Sequence, residues 1–78
     1  MFGWLVKAPG RALQQKFVNL GTIKGKTRIE IEAVVGTPNS VSAAAGGMIL
    51  CQWMAVGYHI ALLFDGDICQ GITHEFSA

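Results

Sequence analysis

The chain has 78 residues, room for one domain but not for the several β-α-β units of roughly 30 residues each that a nucleotide-hydrolysing α/β domain requires. Hydrophobic residues make up 51% and charged residues 14%, against about 25% charged in an average globular domain. Some of that apolar surface must stay outside so small a core, which points to self-association or a permanent partner. Six basic and five acidic residues leave a net charge of +1, without the clustered basic face of a nucleic-acid binder.

Residues 1–10, MFGWLVKAPG, read as an N-terminal arm, aromatic and apolar up to the break at Pro9-Gly10. The arm lacks the basic leader region and the long apolar run of a secretory signal. No segment approaches the ~18 apolar residues of a membrane span. The expected compartment is therefore cytoplasmic for the chain as given, or periplasmic or envelope if a leader precedes it. From Arg11 onward, Leu13, Phe17 and Leu20 recur at the spacing of one helical face, and Gly21 follows as a C-terminal cap.

Gly21 to Thr27, GTIKGKT, resembles a phosphate-binding loop but is one residue short of the G-x-x-x-x-G-K-[ST] spacing. Its plainer reading is a corner between two elements. In the segment that follows, Ile29, Ile31, Ala33 and Val35 alternate with Arg28, Glu30 and Glu32, as in a strand. Thr27 and Glu30, however, form the T-x-x-E capping box of a helix start, and Gly36 with Pro38 supplies a helix stop. Local signals leave both open for residues 28–35; as a helix, it would bury Ile31, Val34 and Val35.

Residues 39–47, NSVSAAAGG, form a small-residue connector, with Val41 to Ala45 able to make one helical turn. Three apolar runs follow, Met48–Ala55, Tyr58–Phe64 and Ile68 to about Thr73. Val56-Gly57 closes the first hairpin, and Asp65-Gly66 signals a type I′ turn for the second. A two-residue first loop sets Trp53 opposite Ile60, Cys51 opposite Leu62 and Ile49 opposite Phe64 on one face. Leu50, Gln52, Met54, His59, Ala61 and Leu63 then share the other. Cys51 and Cys69 fall on the outer strands of this meander, about 9–10 Å apart at ~4.8 Å per strand, too far for a disulfide.

Residues that carry chemistry are sparse. His74 beside Glu75 forms a pair of acid–base type near the chain end, and no second histidine at helical spacing completes a zinc-protease motif. Asp65 and Asp67 flank Gly66 as turn formers, too few ligands for a calcium loop. No Cys/His cluster has metal spacing. The chain therefore reads as non-catalytic, with no cofactor and no metal.

Gly25-Lys26-Thr27, Ile31 and Val35-Gly36-Thr37-Pro38 resemble the G-[MK]-T-x₃-V-x₃-LG-x-P signature of the BamE/SmpA-type domain. Downstream, Gly46-Gly47, Trp53, Phe64-Asp65-Gly66 and Ile72 fall where that family has its tryptophan strand and F-D-x-x-G hairpin. The resemblance spans roughly residues 11–73 and implies a helix for 28–35 followed by a three-stranded antiparallel sheet. It also implies a small protein-binding module, with a fold similar to half of the β-lactamase-inhibitor protein. The chain has no lipobox cysteine near its N-terminus, unlike the family's outer-membrane lipoproteins.

The expectation is then a two-layer α+β domain. A helical pair within residues 11–36 packs on one face of a three-stranded antiparallel meander over residues 48–73. Its expected function is protein–protein association, including self-association as a homo-oligomer. The contact surface would comprise Leu50, Met54, Ala61 and Leu63, with Trp4 or Tyr58 as aromatic anchor. The alternatives are a small apolar-ligand domain, with a pocket lined by Phe17, Trp53 and Phe64, and an inhibitor of a hydrolase.

Overall fold

The computed structural model describes residues 9–78. Trp4 and most of the N-terminal arm lie outside the described residues. Two helices, α1 (Pro9–Leu20) and α2 (Arg28–Val35), precede four strands: β1 (Ser40–Ala43), β2 (Ile49–Ala55), β3 (Tyr58–Asp65) and β4 (Ile68–Ser77). The strands form one antiparallel sheet in the order β1-β2-β3-β4. The α+β class holds, but the sheet has four strands where the sequence suggested three.

The ambiguous segment is a helix, and its cap explains why. The Glu30 N–H donates to Thr27 Oγ1 at 3.2 Å, and the Thr27 N–H donates to Glu30 Oε1 at 2.8 Å. Two amides with no partner inside the helix are thereby satisfied. Ile31 and Val35, four residues apart, face the core, whereas Val34 is 44% exposed and does not join them. A side chain three positions after Ile31 and one before Val35 sits on the flank of so short a helix. On the solvent side, Arg28 Nε and Glu32 Oε2 pair at 2.6 Å across one turn.

Helix α1 buries Phe17 and packs Leu13 and Leu20 partly against the core. Phe17 meets Trp53 edge to face with ring centroids 5.4 Å apart, a geometry favoured by the ring quadrupoles. The Trp53 indole N–H donates to the Gly36 carbonyl at 2.9 Å, so the residue that stops α2 is tied to β2. Cys51, Tyr58, Ile60, Leu62, Phe64 and Cys69 complete this core from the face of the sheet that meets the helices, and Ile23 joins it from the connection between α1 and α2.

The GKT corner is stitched to the start of β4. Gly25 N donates to Cys69 O at 2.8 Å, Cys69 N to Lys26 O at 2.9 Å, and Arg28 N to Asp67 O at 2.8 Å. With Lys26 N donating to Ile23 O and Thr27 N to Glu30 Oε1, the amides that a phosphate would need are all spent within the fold.

The added strand, β1, comes out of the connector. Asn39 initiates it: its N–H donates to Gln52 O, and its Oδ1 accepts from Met54 N, both at 2.8 Å. The β2 edge offers a row of unpaired backbone groups, and pairing satisfies them where side-chain pattern gives no cue. A short 3-10 turn, Ala45–Gly47, with positive φ at Gly46 and Gly47, then reverses the chain into β2.

The β2–β3 register follows the sequence reading, with Trp53 opposite Ile60, Cys51 opposite Leu62 and Ile49 opposite Phe64. The β3–β4 turn differs from expectation. Its two central residues are Gly66 and Asp67, and only the glycine has positive φ, the pattern of a type II′ turn. Strand β4 also runs on to Ser77, past the expected end near Thr73. An eight-residue β3 supplies partners that far, helped by register shifts on either side of Leu62 and Leu63.

Candidate functional site

Both helices lie on one side of the sheet, and among the described residues no element covers the other. Pairing and alternation place Ser40 and Ser42 of β1 on this open face, beside Leu50, Gln52 and Met54 of β2. His59, Ala61 and Leu63 of β3 follow, then Gly71, His74 and Phe76 of β4. None of these side chains is a lysine or arginine, and the one carboxylate that the alternation of β3 adds to them is Asp65, exposed at the turn end of the strand. Met54 and Phe76 are 46% and 56% exposed, and Leu50 and Leu63 are half-buried.

Ala61 sits on the open face but is only 3% exposed, hidden by its taller neighbours. It can set the floor of a contact surface and contributes little area. Tyr58 is a correction: the phenol is 2% exposed and lies on the helix side, where it packs near Phe17. Its hydroxyl donates to Glu75 Oε2 at 2.6 Å, so it anchors no partner on the open face. Burial and this hydrogen bond push its pKa well above the ordinary phenol value. The strand period already placed Tyr58 with Ile60, two residues on.

The residues expected to line a pocket fill the interior instead. Phe17, Trp53 and Phe64 are 3%, 1% and 0% exposed and pack into the core cluster. A concavity of about 550 Å³, open to solvent, lies between α1 and the β2–β3 turn, lined in part by Arg11, Gln14, Gln15 and Val56. Its polar walls do not suit an apolar ligand.

His74 and Glu75 are neighbours in sequence but belong to opposite faces, because successive side chains of a strand alternate. Glu75 turns to Tyr58, and His74 turns to His59, with imidazole centroids 5.0 Å apart and tilted by 58°. His59 Nε2 lies 2.8 Å from Gln52 Oε1. The sequence reading ended the last strand before His74 and Phe76, so it missed both on this face.

Cys51 and Cys69 are free and buried, on strands separated by β3. Burial pushes both thiols above their ordinary pKa, which disfavours the nucleophilic thiolate.

Compared with protein-family models, with characterised proteins and with solved structures, the chain has no match.

Proposed function

We propose that the protein is a non-catalytic interaction module that associates with a second copy of itself through the open face of its sheet. The observation that carries this reading is that face: apolar at Leu50, Met54, Leu63 and Phe76, without lysine or arginine among the described residues, with a single carboxylate, Asp65, exposed at the turn end of β3, and left bare by both helices. A two-fold contact brings each patch against its own copy, so a charged patch would repel itself and a neutral one does not. The likeness of the GKT corner and the second helix to the BamE/SmpA-type signature supports a protein-binding role over an enzymatic one.

The size of the face sets the expected strength. Four strands at ~4.8 Å spacing and roughly seven residues at ~3.3 Å rise project about 450 Å². A standard stable interface buries about 800 Å² per partner. The association is therefore weak and concentration-dependent rather than permanent.

Sedimentation equilibrium over a range of micromolar concentrations tests this. The expected result is a monomer–dimer equilibrium that Leu63→Asp shifts to monomer while circular dichroism is unchanged. A monomer at every concentration, or a dimer indifferent to Leu63→Asp and Phe76→Asp, would overturn it.

A further inference from the structure

The cross-strand histidine pair on the open face stands at a ring separation that suits two ligands of one ion. We propose that His59 and His74 form a bis-imidazole site for a divalent transition-metal ion of the zinc, nickel and copper group, with solvent completing the coordination. This site does not depend on self-association.

The first support is distance. Imidazole nitrogens bind such ions at about 2.0–2.1 Å, which holds each ring centroid about 3.2 Å from the metal. For angles of about 90–110° at the ion, the two centroids then stand about 4.5–5.3 Å apart. The observed separation is 5.0 Å.

The second support is the hydrogen bond behind His59. With Gln52 Oε1 as acceptor at 2.8 Å, the proton of the neutral ring sits on Nε2. That leaves the Nδ1 lone pair as the free one. Metal-binding histidines characteristically donate their other N–H to an oxygen in this way, which fixes tautomer and ring orientation. Neither nitrogen of His74 has a hydrogen-bond partner among the described residues, so its lone pair is also uncommitted.

The third support is electrostatic. Among the described residues the face has no lysine or arginine to repel a cation, since Arg11, Lys16, Lys24, Lys26 and Arg28 belong to the helices and their connecting corner. No group of three His, Cys, Asp or Glu converges among the described residues. The chain therefore supplies two ligands, both imidazole, which favours copper, nickel and zinc over magnesium or calcium.

The test is isothermal titration of the tag-free chain at pH 7.5 with Zn²⁺ and with Mg²⁺, paired with imidazole nitrogen NMR. The expected result is saturable binding of one Zn²⁺ per chain, no Mg²⁺ binding, and perturbation of His59 Nδ1 with its Nε2 remaining protonated. His74→Ala, at an exposed position, should weaken binding at least tenfold with the fold intact by circular dichroism. Gln52→Ala should weaken it by about tenfold at unchanged stoichiometry. Absence of saturable Zn²⁺ binding, or binding that survives His74→Ala, as it would if the buried thiols held the ion, would overturn the proposal.

Discussion

Replacing Gly10 by alanine sets two effects of opposite sign against each other, and the structure decides between them. Gly10 is the second residue of α1, and a helical glycine costs up to about 1 kcal/mol relative to alanine. By propensity alone, Gly10→Ala stabilises. Its backbone, however, packs directly on the β2–β3 turn, donating its N–H to Val56 O at 3.0 Å. An added Cβ would stand 2.1 Å from Val56 O, 2.8 Å from Tyr58 N and 2.9 Å from Val56 C.

All three are backbone atoms, which cannot rotate aside as a side-chain end could. Relief requires α1 to lift from the turn, which lengthens the Val56 hydrogen bond and loosens Phe17 against Trp53 and Tyr58. Overpacking of this kind costs about 1–3 kcal/mol, and a weakened hydrogen bond adds about 1 kcal/mol. After the propensity gain, the net loss is about 1–3 kcal/mol. In a domain of this size that lowers the melting temperature by roughly 4–24 °C. Thermal and urea unfolding followed by circular dichroism measure it. Ala12→Gly, at an exposed position of the same helix, provides the propensity term separately at about 1 kcal/mol. An unchanged or raised melting temperature for Gly10→Ala would refute the close approach of α1 to the turn.

Three further outcomes follow from the hydrogen bonds. Thr27→Ala removes the α2 cap and should cost about 0.5–2 kcal/mol in urea unfolding. The Thr27 N–H and then its hydroxyl hold the Glu30 carboxyl below its ordinary pKa, so its contribution is present above that value and lost as pH falls through the lower folded-state one. Acid titration of stability should accordingly show a smaller carboxylate-range loss in Glu30→Gln than in the parent. Tyr58 is the only tyrosine, so ultraviolet titration reads its phenol alone. Since burial and then the Glu75 hydrogen bond raise its pKa, the stability it contributes is complete below the ordinary phenol pKa and declines as pH rises toward the folded-state value. Ionisation should coincide with alkaline unfolding; a phenolate formed in the folded chain near the ordinary value would contradict its burial.

Much of the fold is written in short-range chemistry. The Thr27–Glu30 box lies within four residues, and the two-residue Val56-Gly57 loop alone sets the β2–β3 register. The alternation of β2 and β3 then sorts the open face from the core. The apolar excess of so short a chain points to bare surface before any strand is placed. These features need only neighbours in sequence, because a cap, a turn and a pleat are each closed by local hydrogen bonds and side-chain direction.

Tertiary structure decided the rest. Strand β1 exists because the β2 edge has backbone groups to satisfy, which the serines and alanines of residues 40–43 do not announce. The extension of β4 depends on the length of β3, and it alone carries Phe76 and His74 onto the open face. Tyr58 turns inward because Phe17 and Glu75 meet it from distant parts of the chain. Gly10 is required by a turn 46 residues away, where backbone meets backbone and no pattern of side chains records the contact.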